Sequence, residues 1–243
     1  MASNSPDDTN LGFARSPKQD RSRKTFDRVI ESTVEILKSD GLQQLTLAEV
    51  SRRSGVSIGS IYCRVDSKED LIRVVQAHAL ESLDREFAVM LNRIRRDSLP
   101  LRELAPAMVR ELAIFLRRNA ALLSAFMQQG ARDPLVASVG RRSYLQTALD
   151  FKLLLLERQT EFHHPDADHA ATTIFTVVYG CLARYLGLGA HPESGAGEGD
   201  WSRLIEDLGL MALAFLVVDL KEATQPGRLR ERPLGSRTGQ ASV

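Results

Sequence analysis

The 243-residue chain has few cysteines and no long apolar run. Its two cysteines, Cys63 and Cys181, are far apart in sequence, which argues against a disulfide framework and favours a reducing compartment. The longest nearly apolar run, from Leu208 to Val218, is about half of the ~20 residues that a membrane-spanning helix needs. No apolar leader with a cleavage site opens the chain. We therefore predict a cytoplasmic protein that does not enter the membrane.

Catalytic motifs are also missing from the sequence. It contains no glycine-rich phosphate loop, no nucleophile elbow and no Cys–His pair at a suggestive spacing, so we predict no enzyme and no cofactor. His163, His164, Asp166, Asp168 and His169 have side chains that can bind metals, but they lie in a break between helices and lack the i, i+4 spacing of a dedicated site. We therefore predict no metal site.

Strand patterns are absent as well, because no stretch alternates β-branched and polar residues with a period of two. Almost every segment repeats its apolar residues at helical period, which predicts an all-α protein. The net charge is only +1, yet residues 15–73 carry 12 basic and nine acidic side chains. Five of those bases lie between Arg15 and Lys24. Such a basic arm suits a phosphate backbone, although a solvated tail has the same composition.

Four helices are predicted in the first third of the chain. The first runs from about Ser22 to Ser39. Thr46, with Glu49 three residues on, forms a capping box that opens a short helix to Arg53. A second short helix covers Ser57–Cys63, and Ser67 caps a longer one that reaches about Asn92.

Residues 46–63 have the pattern of a helix-turn-helix, with a positioning helix, Gly55 in the turn, and a second helix held down by Val56 and Ile61. With their flanks they resemble the head of the TetR family of transcriptional regulators. The resemblance rests on Gly41, Leu45-Thr46-Leu47, Val50, Gly55-Val56-Ser57, Gly59, Ile61-Tyr62 and Ser67-Lys68-Glu69-Asp70-Leu71. Ser51 and Val65 depart from it, since the family more often has alanine and phenylalanine there.

The resemblance implies a role for each matching position. Tyr62 and Lys68 would contact phosphates, as would the hydroxyl and neighbouring amide of Thr46. Ile58, Ser60 and Arg64 would meet bases in the major groove. The alternatives are a core tyrosine at Tyr62, a solvated charge at Lys68 and a phosphate contact at Arg64. The full set predicted to bind DNA is Thr46, Ser57, Ile58, Gly59, Ser60, Tyr62, Cys63, Arg64 and Lys68.

The rest of the chain predicts a helical body. Pro100 and Pro106 are expected to break the chain before a helix that ends at Arg118. Asn119 is expected to cap a short helix to Met127, and Asp133-Pro134 to open a long helix towards Phe162. Two last helices are expected at about 168–187 and 201–220.

Those last two helices are apolar on nearly every side and must therefore be covered on every side. We predict that one face packs on the chain's own bundle and the other on a second copy, making a homodimer. Gly180, Gly209 and Ala212 would allow the close approach. A deeply buried core helix in a monomer is the alternative.

A cavity for a small, largely apolar effector is expected between the middle helices, where the resemblance places such ligands. Its candidate lining residues also suit ordinary core. Arg110, Arg141 or Arg184 would turn inward if the ligand carried a carboxylate. The candidates are Phe87, Phe115, Phe126, Met127, Tyr144, Phe151, Phe175 and Tyr179.

The resulting prediction is a homodimeric, ligand-released repressor that binds a near-palindromic operator in double-stranded DNA. Its expected parts are a disordered, basic-ended arm (1–20), a helix-turn-helix head (21–66), an effector-binding and dimerisation body (67–222) and a disordered tail (223–243). A constitutive DNA-binding regulator of the same fold is one alternative. An all-α small-molecule carrier or enzyme is another, from a different class.

Overall fold

The computed structural model describes residues 17–189, 197 and 199–218, and within them all regular structure is helical, as predicted. The predicted tail (223–243) and the first 16 residues of the predicted arm lie outside the described residues. Residues Leu42–Gln44 and Gln159–Glu161 form single 3-10 turns. The α-helices are α1 (Pro17–Ser39), α2 (Leu47–Ser54), α3 (Ile58–Tyr62), α4 (Lys68–Arg96), α5 (Leu101–Gly130), α6 (Pro134–Leu156), α7 (Ala167–Tyr185) and α8 (Trp201–Val217).

The two predicted caps of the head, Thr46 and Ser67, are confirmed, and Ser57 caps α3 in the same way. The hydroxyls of Thr46, Ser57 and Ser67 each accept the backbone N–H three residues further on, at 3.1, 3.3 and 3.0 Å. Gly55 ends α2 with a φ of 65°, a left-handed conformation that glycine adopts without steric cost. The α2–α3 pair is therefore a helix-turn-helix, and α4 starts directly after it.

Several predicted helix boundaries are wrong. The first helix begins at Pro17 rather than at Ser22, because proline suits the first helical position, where a backbone N–H has no intrahelical partner. The segment after Pro100 is one helix, α5, and is not broken at Pro106 or restarted at Asn119. Pro106 lies near the start of α5, so its ring removes only one bond, to the carbonyl of the exposed residue Arg102.

Asn119 has a structural role inside α5 and caps nothing. Its side chain is buried, and Nδ2 donates a hydrogen bond of 3.0 Å to the carbonyl of Phe115, one turn earlier in the same helix. An asparagine that satisfies its amide in this way does not interrupt a helix. The sequence alone does not distinguish this arrangement from an N-cap.

Asp133 caps α6 as predicted, although the helix ends at Leu156 rather than near Phe162. The buried Oδ1 accepts the N–H groups of Leu135 and Val136 at 2.9 and 3.4 Å. Its other oxygen accepts Arg73 Nε at 2.8 Å, and Gln76 Nε2 donates to the Val136 carbonyl at 2.9 Å. We call these two links from Arg73 and Gln76 to the start of α6 the α4–α6 clamp.

Helix α5 is at the centre of the body and contacts α4, α6, α7 and α8. Helix α1 packs on α2 and also on both α4 and α5, so the head and the body share a continuous core. Fully buried side chains such as Phe87, Leu112 and Phe151 form this core.

The inner face of α8 is tightly packed on α5, which corrects part of the dimer prediction. A Cβ added at Gly209 would lie 3.2 Å from the Cα of Pro106. Ala212 is only 4% exposed, so neither residue is available to a second copy. Gly180 on α7 is exposed, with no atom within 4 Å of an added Cβ. Of the three small residues, only Gly180 lies on an open face.

The open faces of α7 and α8 carry several large apolar side chains. On α7 these faces include Val177 and Cys181, and on α8 they include Leu210 and Met211, which are 63% and 59% exposed. Exposure of this kind on adjacent helices is typical of a surface that another protein covers. The predicted division of each helix into a buried and an open face is therefore present.

Candidate DNA-binding head and effector cavity

Helix α3 presents an exposed surface to solvent. Ile58 and Tyr62 are 41% and 52% exposed, and Ser57, Gly59, Ser60, Cys63 and Arg64 are exposed as well. Their exposure excludes the alternative in which Tyr62 is a core residue. Apart from Thr46 at the start of α2 and Lys68 at the start of α4, the residues predicted to bind DNA therefore lie on one short helix and near its ends.

Buried contacts hold α3 in place although the helix is too short to be stable alone. Ile61 and Val65 are buried against the head core, so valine fills the position where the resembled family more often has phenylalanine. Ser51, the other departure, donates its hydroxyl to the Val56 carbonyl at 2.7 Å. This bond crosses the turn and ties α2 to the start of α3, which alanine would not do.

Two cations predicted to bind DNA make contacts within the head. Lys68 Nζ donates to the Leu42 carbonyl at 3.4 Å, which leaves the other ammonium protons for a phosphate. Arg64 donates to the hydroxyl of Ser22, and its guanidinium lies over the Phe26 ring at 5.2 Å from the centroid. To read a base, Arg64 must leave these contacts with α1.

The basic residues of α2 are neutralised by neighbouring acids. Glu49 accepts Arg52 and Arg53, each with a shortest contact of 2.6 Å, and Arg53 also pairs with Asp40. The hydrogen bonds from Arg52 and then Arg53 lower the pKa of Glu49 to about 2. These arginines are therefore committed to intramolecular ion pairs, which the excess of basic residues in the sequence did not reveal.

A cavity of about 420 Å³ lies in the body between α4, α5, α6 and α7. Five of the eight predicted effector residues line it, namely Phe115, Phe126, Met127, Tyr144 and Tyr179. The volume falls in the ordinary range for small-molecule sites.

The other three predicted residues pack behind the cavity wall. Phe87, Phe151 and Phe175 are almost completely buried and do not line the cavity. The Phe87 ring contacts that of Phe115, with centroids 5.2 Å apart, while Phe175 lies 5.7 Å from Tyr144. These phenylalanines support the lining residues. The apolar spacing along a helix does not distinguish a side chain that lines the cavity from one that packs in the core behind it.

Most of the polar lining of the cavity was not predicted from the sequence. Gln76 and Asp84 come from α4, and Ser143 and Thr147 from α6. Ser143 donates to Asp84 Oδ1 at 2.6 Å, a second link between α4 and α6 besides the clamp. The sequence signal for this polar lining was the pair Gln76 and Asp84, two polar residues eight positions apart in the apolar stripe of α4. Of the three arginines predicted as possible carboxylate partners, only Arg141 lines the cavity.

The two lining tyrosines are in contact with each other. Their ring centroids are 4.9 Å apart in an edge-on arrangement. Burial, and next the proximity of Tyr144, raise the pKa of Tyr179 to about 12. The Tyr179 hydroxyl therefore keeps its proton at neutral pH and is available as a hydrogen-bond donor.

The histidine-rich break before α7 has structural contacts. His163 Nδ1 lies 2.8 Å from the Val217 carbonyl, and Asp166 caps α7 by accepting His169 N at 2.9 Å. Within the described parts of the chain, no three His, Cys, Asp or Glu side chains form a group that suits a metal ion.

Residues 29–75, which span the helix-turn-helix, match the family model described as bacterial regulatory proteins, tetR family. The head of this chain therefore resembles the DNA-binding head of TetR-family regulators. An HTH-type transcriptional regulator of Pseudomonas putida, TtgW, is 26% identical over 65 residues. That match covers 27% of this chain and 48% of TtgW, so the chain spans about half the length of its curated relative.

Solved TetR-family structures share the fold of the described chain. A TetR-family regulator from Mesorhizobium loti superimposes with a TM-score of 0.65 at 14% identity, covering 81% of this chain and 96% of its own. FadR of Bacillus subtilis, solved with stearoyl-CoA, gives a TM-score of 0.54 at 14% identity, with 78% and 98% covered. The resemblance inferred from the head is thus confirmed, and the all-helical body has the TetR-type architecture.

The proteins that this chain resembles are DNA-binding transcriptional regulators, which agrees with the predicted class of protein. No helix among the described residues is long and apolar enough to cross a membrane.

Proposed function

We propose that this TetR-family regulator is a repressor that binds a near-palindromic operator as a homodimer and leaves it when a small, largely apolar molecule enters the cavity. Residues 21–66 are the DNA-binding head of this proposal, and residues 67–222 are the body that binds the effector and dimerises. The observation that carries it is structural continuity. Helix α4 forms one wall of the cavity and begins at Lys68, two residues after the head ends.

The exposed end of the helix-turn-helix supports DNA binding. In this proposal Tyr62, Lys68 and the α2 N-terminus at Thr46 contact phosphates, while Ile58 and Ser60 meet base edges. Ser57, Gly59 and Cys63 allow α3 to approach the groove closely. Arg64 reads a base if it leaves Ser22 and Phe26, and it contacts a phosphate if it stays near α1.

The open faces of α7 and α8 support dimerisation. Two copies of this pair would form a four-helix interface in which Val177, Leu210 and Met211 are covered, with Gly180 at a point of close approach. A two-fold dimer would place its heads on successive major-groove faces, about 34–36 Å apart or at a related spacing. A near-palindromic operator follows from this symmetry.

The cavity favours ligand control over a constitutive regulator. A body that only dimerised would not need a largely apolar cavity of about 420 Å³, whose size is typical of small-molecule sites. A ligand that prefers one position of α4 would shift the equilibrium between head positions by no more than its differential affinity for them. This mechanism needs no contact between the ligand and DNA.

We expect Lys68→Met to weaken binding to all DNA sequences. If Lys68 neutralises one phosphate, the slope of log affinity against log salt should become shallower by about 0.9. Fluorescence anisotropy titrations at several salt concentrations would measure both quantities. Tyr62→Phe, at an exposed position, should also weaken binding uniformly, while Arg64→Ala should in addition relax the preference at one position of a selected operator.

A control is needed because Lys68→Met also removes the hydrogen bond from Lys68 to the Leu42 carbonyl. Lys68→Arg retains a charge and a donor, so it should keep most of the salt slope, and the melting temperature of each variant reports damage to the fold. An unchanged affinity and slope in a normally folded Lys68→Met protein would show that Lys68 does not bind DNA.

Effector control predicts reciprocal coupling. A ligand that lowers operator affinity by a factor of about 5–150 must itself bind more weakly by the same factor when the operator is present. An operator selected from random DNA and a panel of lipophilic metabolites would provide the two titrations. Unchanged operator affinity with every ligand that binds the cavity would support the constitutive alternative.

A further inference from the structure

Gln76 is the one buried side chain in the described chain with an unpaired polar atom. The residue is 1% exposed and lines the cavity, and its Oε1 has no hydrogen-bond partner among the described residues. An unpaired buried acceptor is destabilising, and native proteins retain few of them. Oε1 is buried from solvent and Gln76 lines the cavity, so a molecule bound there can supply the missing donor.

The orientation of the Gln76 amide is determined by its neighbour. Nε2 lies 2.9 Å from the Val136 carbonyl. Turning the amide over would place two acceptors against each other, so the nitrogen must face Val136 and the oxygen must be the unpaired atom. A ligand group that pairs with Oε1 is therefore a donor.

A second acceptor lies on the same wall of the cavity. Asp84 is eight residues after Gln76, two turns along α4 and about 12 Å away at 1.5 Å per residue. Its Oδ1 already accepts the Ser143 hydroxyl. The α4 wall thus presents acceptors and a negative charge to the ligand, which is unfavourable for a carboxylate.

We propose that the cavity selects an uncharged, largely apolar ligand with a hydroxyl group that donates a hydrogen bond to Gln76 Oε1. This proposal rests on the proposed function and names the ligand chemistry of that site. A cationic amine would also donate, but it would lose its hydration in an apolar cavity and gain only a neutral amide at Gln76. A carboxylate would have Arg141 as its partner, and Arg141 is exposed.

The position of Gln76 connects this hydrogen bond to the head. The same side chain makes one link of the α4–α6 clamp, and it lies two turns after Lys68 on α4. A ligand that pulls on Oε1 acts directly on the clamp. The hydroxyl of the ligand therefore contributes to binding affinity and also provides a means of shifting α4.

Calorimetric titration of the full chain with four matched probes tests the proposal. The probes are para-hexylphenol, hexylbenzene, para-hexylbenzoate and para-hexylbenzylamine, which share one apolar part and differ in the polar group. We expect the phenol to bind most tightly. Its advantage over hexylbenzene should be about 5- to 150-fold, the effect of pairing one buried acceptor.

Gln76→Leu identifies the hydrogen bond. It should remove the preference for the phenol over hexylbenzene while leaving hexylbenzene bound. Arg73→Met is the matched control, because it breaks the other link of the clamp without changing a lining residue, and it should preserve the preference. A general loosening of the site would instead weaken both probes equally in Gln76→Leu, and that result would overturn the proposed bond.

The remaining outcomes separate this proposal from the proposed function. If the benzoate bound most tightly and Arg141→Met removed its advantage, the ligand group would be an anion rather than a hydroxyl. If the benzylamine bound most tightly and Asp84→Asn removed its advantage, the ligand group would be a cation. In both cases the cavity remains an effector site. If no probe binds the native protein, the proposed ligand control itself is contradicted. The ranking in the native protein decides the point even if Gln76→Leu does not fold.

Discussion

Leu210→Glu is expected to convert the dimer into a monomer and to lower operator affinity by a factor of about 10²–10⁴. Leu210 is 63% exposed in the single chain, so the substitution does not disturb the protomer. In a dimer it would bury an unpaired carboxylate from each copy, which is strongly destabilising. Loss of the second head removes the effective-concentration advantage of bivalent binding. Light scattering and a DNA titration measure the two effects.

Two substitutions provide the comparison. Val89→Glu adds the same charge at a 67% exposed apolar position on α4, away from α7 and α8, and should leave a dimer. Ala212→Glu adds it on the inner face of α8 and should unfold the protomer rather than separate two folded copies. A native protein that has the mass of one protomer at micromolar concentration would contradict the proposed interface.

Asp133→Ala is expected to lower the melting temperature by about 5 °C or more. The variant loses the cap of α6 and the carboxylate that pairs with Arg73, so two supports of the α4–α6 junction disappear together. Asp133→Asn keeps a side-chain oxygen for the cap, so its melting temperature should fall by less than half as much as that of Asp133→Ala. Thermal unfolding followed by circular dichroism measures both variants.

The effect of Asp133 should depend on pH. Burial raises the pKa of this carboxyl, but the hydrogen bonds from Arg73, Leu135 and Val136 outweigh burial and hold the pKa below its ordinary value of 3.8. A group with a lowered folded-state pKa stabilises the protein above its unfolded-state pKa and loses this effect as pH falls through the folded-state pKa. The difference between the native protein and Asp133→Ala should thus be constant near neutral pH and shrink below about pH 4. A difference that grew on acidification would contradict this assignment.

The head was predictable from sequence because its signals are local. A cap and its partner are three residues apart, and a glycine in the turn precedes the apolar residues that hold α3. Each of these features depends on neighbours within one or two turns. The caps at Thr46 and Ser67 were therefore placed correctly without any knowledge of the body.

The body depends on contacts between distant residues, and there the sequence was less informative. Pro106 and Asn119 have strong local preferences, but α5 tolerates both inside a packed helix. Gly209 suggested close approach of helices, and the approach is to Pro106 in the same chain rather than to a second copy. Gln76 looked like one polar residue in an apolar stripe, and its importance arises from the Val136 carbonyl, 60 residues away.

The contact of α1 with both α4 and α5 determines how the head can move. The C-terminal end of α1 and the turn that follows, including Leu37 and Leu42, face Ala121 and Ala125 of α5 across a shallow groove. The head is therefore attached to the body at two separated points, and a displacement of α4 alone would strain the second. In the proposed response to a ligand, rotation about the α1–α5 contact would relieve this strain. Helix α2, which packs on α1, and helix α3, which packs on α2, would then move together with α1.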